Sequence, residues 1–338
     1  MAFKIPVLLI AYRRPDTTKQ VIDAIRVAAP ERMFVACDGA NLKNPGEAER
    51  VAATRALIER EIDWPCKIER RYSETNQGCK MGPSSAITWF FEQVDEGIIL
   101  EDDTLPHPDF FPFCAELLNR YRDDERIWHI SGNNFQDGQL RGDGSYYFSH
   151  IAHCWGWASW RRCWKHYDRD LKRWPALKAS GLMETIFEDP VERSYWAGIW
   201  DDLLEKGQPN AWDYQWCFTV FSEGGLSVVP NRNLVSNVGF GPDGVHCLDA
   251  GDPLSNMPVS KIYPLTHPTS ILRDAAADAY DFDHVFGADV ARRNAAARYH
   301  NSFFFKKKLR LQNLFNKLLY RLNRSLIHGG YKAGQKKD

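Results

Sequence analysis

The sequence predicts an α/β protein built on a mostly parallel sheet, and three observations carry that prediction. Short strand-like runs alternate four times with segments of helical periodicity between Ile5 and Asp103, the pattern of parallel strands joined by right-handed crossovers. The fourth run, Gly97-Ile98-Ile99-Leu100, is aliphatic enough for a strand covered on both faces, yet ends abruptly in Glu101-Asp102-Asp103. The 338 residues, 44% hydrophobic and 26% charged, suffice for one large core.

Taken in order, Ile5 to Tyr12 is the first strand, followed by a helix capped at Asp16 or Thr17 with Val21, Ile22, Ile25 and Ala29 on one face. Met33 to Cys37 is the second strand, with a turn at Asp38-Gly39. A helix from Glu47 to Ile62, a strand from Cys66 to Arg71 and a helix from Gly82 to Val94 lead into the acidic-tipped strand. Pro106 and Pro108 mark its stop. A helix from Asp109 to Asp123 and a strand from Ile127 to Ser131 follow. Beyond them the regular pattern dissolves. Tyr146 to Ser149 reads as an edge strand, Cys154 to Trp160 as irregular, Glu192 to Lys206 and Asp213 to Ser222 as helices, and Leu226 to Val229 as a strand. Asn231 to Pro264 reads as one long loop.

The net charge of −1 hides an asymmetry. From Phe303 onward there are ten Lys or Arg and one acid, so the rest carries about −10, which argues against a nucleic-acid-binding body. Cys37, Cys66, Cys79, Cys114, Cys154, Cys163, Cys217 and Cys247 show no metal-ligand spacing, and without a secretory signal they read as reduced thiols of a cytosolic protein. No segment has the roughly 18 apolar residues that span a bilayer. In the tail, apolar residues from Leu311 to Leu326 share one helical face with Lys and Arg opposite. Such a face suits peripheral contact with the anionic inner face of a membrane, or packing on protein.

Open α/β sheets bind ligands at the carboxyl ends of their strands, and an acid cluster there can hold a hard divalent ion and through it a diphosphate. The stretch from Ile98 through Gly132, with ILEDD, PDFF and IWHISGNN in register, resembles the GT-A fold nucleotide-sugar glycosyltransferases, most closely the N-acetylglucosaminyltransferase I type and family 2-like enzymes. The resemblance spans residues 3 to 250. It implies that Asp103 binds Mn²⁺ (or Mg²⁺), that Glu101 and Asp102 contact the nucleotide, and that Arg14 in IAYRRP lies near the uracil or diphosphate. Asp38 in VACDG matches the family's base-binding acid, and is equally a turn-forming Asp before Gly. Asn76 and Lys80, around the Asn76-Gln77-Gly78 motif, complete the nucleotide-sugar set.

An inverting transfer needs a carboxylate to accept the acceptor hydroxyl's proton. Asp213, in AWDYQW, matches the family's W-D-D-W element, although Tyr214 replaces its second acid; Asp202 is the reserve. Gly239 to His246 resembles the family's mobile loop, with His246 a candidate metal ligand. Trp155 and Trp157, in CWGWASW, are candidates for a sugar-stacking floor, with core packing the alternative. His150, His153 and Cys154 fit no usual zinc spacing and read as structural.

The expectation is therefore a GT-A domain over 1–300, with a nucleotide-sugar half at 1–132, an aromatic acceptor half with its loop at 133–265, and a basic amphipathic tail at 301–338. Its implied activity is metal-dependent, inverting transfer from a UDP-sugar to a saccharide or lipid-linked saccharide, in the cytoplasm or on the inner membrane face, as in surface polysaccharide synthesis. The rivals are a catalytically degenerate membrane-associated scaffold and a sugar nucleotidyltransferase; AYRRPD lacks the Gly-rich phosphate loop of the latter.

Overall fold

The structure, a computed structural model, describes residues 3–241, 249, 251–302 and 305–315. The chain divides into two units, Met1–Phe286 and Gly287–Asp338. In the first, β1 (Val7–Ala11), α1 (Pro15–Ala28), β2 (Arg32–Cys37), α2 (Glu47–Glu61), β3 (Lys67–Tyr72), α3 (Gly78–Gln93) and β4 (Glu96–Glu101) alternate as expected. β1 lies between β2 and β4, parallel to both. Its VLLIA side chains are all buried, as a strand covered on both faces requires. β3 is the sheet edge and carries Lys, Glu and Arg on half-buried or exposed positions, a charged edge that resists pairing with another chain.

The remaining elements are β5 (Thr104–Pro106), α4 (Phe110–Arg120), β6 (Ile127–Ser131), β7 (Tyr146–Ser149), β8 (Trp157–Trp160), α5 (Arg161–Trp164), α6 (Trp174–Ser180), α7 (Met183–Ile186), α8 (Pro190–Lys206), α9 (Asp213–Ser222), β9 (Leu226–Pro230), β10 (Val235–Asn237) and α10 (Ala275–His284). The main sheet has the order β3-β2-β1-β4-β8-β6-β9-β7. Only β8 and β7 run against the others. This is a large, mostly parallel α/β sheet flanked by helices.

Two sequence expectations are corrected. The CWGWASW stretch is not irregular throughout: Trp157–Trp160 is β8, antiparallel to the acidic-tipped β4 and to β6. Glycine and tryptophan disguise it, but successive side chains of a strand face opposite ways, so Trp157 and Trp160 enter the cores on opposite faces. Gly156, at φ +68°, makes the entry turn, where a Cβ would meet Val235 and Leu100. The Asn231–Pro264 segment is likewise not one loop. It contains β10, which pairs antiparallel with β5 immediately past the acids, Val235 opposite Pro106 and Asn237 opposite Thr104. The chain thus continues past Asp103 into a two-stranded ribbon, where a terminal proline is tolerated.

α10 is fastened by buried acids. Asp281 accepts hydrogen bonds from His153 Nε2 (2.8 Å) and Gln136 Nε2 (2.6 Å). Asp278 accepts from Ser149 and Arg273, both at 2.5 Å. The second unit contains α11 (Ala288–Asn301) and a helical segment at 305–315, whose Leu309, Leu311, Leu314 and Phe315 are exposed. The rest of the basic tail lies outside the described residues. Among the described residues no helix is long and apolar enough to cross a membrane.

Candidate active site

The carboxyl ends of β1, β2, β3 and β4 open onto one cavity of about 580 Å³, closed on the other side by Trp155, the turn at 209–214, and Asn237 with Gly239. That volume is within the range of small-ligand sites. The topology dictates its position, because parallel neighbours bring the ends of β1, β2 and β4 to one edge.

At the β4 tip, Asp102 is 2% exposed and is fully engaged with β1. It accepts from the Tyr12 backbone N–H at 2.9 Å and from Arg14 Nε at 3.1 Å, with Arg14 Nη2 closer still. Arg14 Nη2 also pairs with Asp103 Oδ2 at 2.9 Å. The guanidinium is therefore held by two carboxylates, as buried charges require. Gly239 lies directly over this pair: a Cβ there would collide with Asp103 Oδ2 and Arg14 Nη1.

Arg14 pairs with two of the acids at this wall. Glu101, Asp102, Asp103 and Asp213 all line the cavity. Burial, then Asp103, Asp102 and Asp213, push the Glu101 carboxyl up to about 8 against the pull of Arg14. Burial likewise raises Asp103, with Arg14 opposing and Asp102 reinforcing. Trp212 Nε1 donates to Glu101 Oε1 at 3.2 Å, linking the residue before Asp213 to the β4 tip. Asp213 itself opens α9 and accepts from the Tyr214 N–H at 3.0 Å.

Asp38, at the β2 tip, is saturated by protein donors. Its carboxylate accepts from the N–H groups of Gly39, Gln77 and Gly78 at 2.8–3.0 Å and from Asn76 Nδ2 at 3.2 Å. It thereby anchors the start of α3 from across the chain. Asn76 Nδ2 also reaches the Tyr12 hydroxyl at 2.9 Å.

Sequence reasoning missed Glu47, at the start of α2 and 2% exposed. It accepts from Tyr12 OH, from Arg13 Nη1 (2.5 Å), from the Asn41 N–H (2.6 Å) and from Asn44 Nδ2 (2.8 Å). Burial alone would raise its pKa; these donors overcome that and hold it at about 2. Nothing local marked it beyond the Asn41, Asn44, Glu47 spacing, because its partners Tyr12 and Arg13 are 35 and 34 residues away. Trp212 was likewise passed over in favour of its neighbour.

Of the expected site residues, Arg14, Asp38, Asn76, Glu101, Asp102, Asp103, Trp155 and Asp213 line the cavity. Three stand elsewhere. Trp157 is fully buried, stacked on His129 and on Trp212 with ring centroids 5.0 and 5.7 Å apart, and offers a sugar no face. Asp202 is a surface residue of α8 paired with Lys206 at 2.6 Å. Lys80 pairs with Asp170 at 3.6 Å, outside the cavity wall. His246 lies outside the described residues.

Among the described residues no three His, Cys, Asp or Glu side chains form a metal-holding group. The donor chemistry still fits a hard divalent ion, since such ions are commonly held by one or two carboxylates plus substrate phosphates. The raised Glu101 and Asp103 are what a cation at this wall would relieve.

No family model matches the chain, and no curated protein matches it. Among solved structures, 4-diphosphocytidyl-2C-methyl-D-erythritol synthase from Anaerococcus prevotii aligns at 8% identity over 48% of this chain and 76% of its own, with a TM-score of 0.32. HddC from Yersinia pseudotuberculosis, complexed with GMP-PN, aligns at 10% identity over 48% and 80%, with a TM-score of 0.33. A UDP-glucose pyrophosphorylase complexed with UDP-glucose aligns at 10% identity over 47% and 69%, with a TM-score of 0.28. Likeness at this level does not establish a shared fold.

Proposed function

We propose that the cavity binds a nucleotide-sugar donor, UDP-linked by preference, and that the chain is a metal-dependent, inverting glycosyltransferase acting on a saccharide or lipid-linked saccharide. The observation that carries the reading is the convergence of Glu101, Asp103 and Asp213 on one cavity at the carboxyl edge of a parallel sheet. Asp103, with Glu101 beside it, would hold Mn²⁺ or Mg²⁺ together with the donor's phosphates. Bound there, the ion neutralises charge developing on the departing nucleoside diphosphate.

The chain's own groups supply the rest. Asp213 takes the proton of the acceptor hydroxyl as its oxygen bonds to the anomeric carbon. Trp212, hydrogen-bonded to Glu101, fixes the distance between the Asp213 turn and the acid strand. Trp155, packed edge-on with Phe135 and Phe240, is the aromatic wall on the acceptor side. Asp38 and Asn76 shape the nucleoside end through the α3 start they anchor.

A sugar nucleotidyltransferase would need cationic groups at the β1 tip to meet a triphosphate. Arg13 and Arg14 are already paired with Glu47, Asp102 and Asp103, which favours the transferase.

The test is product analysis. Nucleotide sugars offered with Mn²⁺ and no acceptor are expected to yield slow release of nucleoside diphosphate, lost with EDTA and in Asp103→Ala. Pyrophosphate release from a nucleoside triphosphate and a sugar 1-phosphate would instead make the chain a nucleotidyltransferase.

A further inference from the structure

A second cleft, of about 490 Å³, adjoins the first, and Arg71 and Ser85 line both. It runs along the outer side of α3 and is closed by the segment after α5 that carries Tyr167 and Lys172. Most of its carboxylates are committed. Asp168 accepts from the N–H groups of Lys172 (3.0 Å) and Arg173 (2.8 Å). Asp170 pairs with Arg169 at 3.2 Å and Lys80 at 3.6 Å. The remaining acid, Glu92, lies seven residues beyond Ser85, about two turns along α3.

Of the cleft's three cations, Arg169 is committed to Asp170 and the other two are not. Among the described residues, neither Arg71 nor Lys172 is paired with a carboxylate. Arg71 Nη1 donates to the Ser85 carbonyl at 2.6 Å, which parks the guanidinium on the wall between the two spaces. Tyr167 stacks on Trp164 with ring centroids 4.2 Å apart, and its hydroxyl donates to the Trp212 carbonyl at 3.0 Å. The cleft is thus lined by two cations without a carboxylate partner and by an aromatic ring, and is joined through Tyr167 to the residue before Asp213.

We propose that this cleft binds an anionic saccharide, its phosphate or carboxylate held between Arg71 and Lys172 and its ring against Tyr167. It would be the subsite for the part of the acceptor remote from the reacting hydroxyl, an identity that rests on the glycosyltransferase reading. An anion in this cleft meets two cations, Arg71 and Lys172, that no carboxylate of the described residues pairs with, while two of the three lining acids, Asp168 and Asp170, are already engaged. A neutral sugar gains neither contact.

The full-length protein is titrated calorimetrically with glucose 6-phosphate, glucuronate and glucose, each with and without saturating UDP and Mn²⁺. At least one of the anionic sugars is expected to bind, glucose at least tenfold more weakly. Lys172→Gln and Arg71→Gln are each expected to weaken the anion about tenfold at unchanged melting temperature. Preference for phosphate or for carboxylate names the anion. Wild-type affinity in Lys172→Gln, equal binding of glucose, or no binding of either anion overturns the proposal. Lys172 lines only the second cleft, and UDP binding is read in the same titration. Loss of the UDP signal alone would instead fault the donor site.

Discussion

At the carboxyl edge of the β3-β2-β1-β4 side of the sheet, charged residues pair with one another; on the β8-β6-β9-β7 side, aromatic residues pack together. The first side ends in a cavity whose wall is a web of carboxylates and guanidiniums, Glu47 with Arg13 and Asp102 with Arg14. The second buries Trp157, Trp160, Trp164 and Trp216 to within 4% of full burial, with His129 among them. That histidine is pressed down to about 3 by burial, and both of its ring nitrogens are satisfied, by Trp216 Nε1 and the His153 carbonyl. Residue types commonly associated with ligands, tryptophan and histidine, are here the core. Glu47 and Asp102, of types commonly associated with solvent, are buried at the sheet edge. Chemistry follows position on the sheet edge more than residue type.

The sharpest break of this comparison is at the acid wall. Asp103→Ala is expected to lower metal-dependent donor turnover by on the order of 10²–10³, measured as nucleoside diphosphate release, with the fold retained. Asp213→Asn is expected to lower transfer by about 10²–10⁴ while nucleotide binding persists. Asp202→Asn, a change in an exposed ion pair, is expected to leave both within error.

In the aromatic half the effect is on stability. Trp157→Ala is expected to destabilise by about 3–5 kcal/mol in chemical denaturation, whereas Trp155→Ala spares stability and weakens acceptor binding. Similar losses at both positions would erase the distinction between core and wall.

Two carboxylates of the same edge are expected to give opposite pH limbs. Glu101 titrates above its ordinary 4.5, near 8, so the folded state holds the extra proton, and stability in EDTA declines as pH rises from about 4.5 to 8. Glu47 titrates below, near 2, so its contribution is full above about 4.5 and is lost as pH falls toward 2. Glu101→Gln is expected to flatten the first limb and Glu47→Gln the second, in melting temperature against pH.

The smallest measurable effect is that of Gly239→Ala. A Cβ there enters the Asp103–Arg14 pair, so Mn²⁺ affinity is expected to fall severalfold with little change in melting temperature.

Much of the β1–β4 half was legible in the sequence. Strand alternation, the aliphatic run into Glu101, Asp102 and Asp103, and the α9 start at Asp213 are local signals with a period or an abrupt change in polarity. What escaped depends on contacts between distant residues. Arg14 reaches Asp102 across 88 positions, and Glu47 reaches Tyr12 across 35. Sequence proximity suggested unpaired acids where the fold supplies a guanidinium. β8 escaped because a strand with neighbours on both sides needs no polar alternation, and its glycine and tryptophans suggested irregular chain. Whether Trp155 or Trp157 faced the cavity turned on the same unseen strand, whose pleat buries Trp157 and leaves Trp155 at the entry turn.

The acid wall is proposed here as a cation-assisted nucleoside diphosphate site. The most direct measurement is the thermal shift of the full-length protein with UDP, GDP, CDP and ADP, each with and without Mn²⁺. A rise is expected for one nucleotide, UDP by preference, and only with the metal; ligand at 100 times its dissociation constant adds about 2.7 kcal/mol. A panel that stays flat with and without the ion would contradict it.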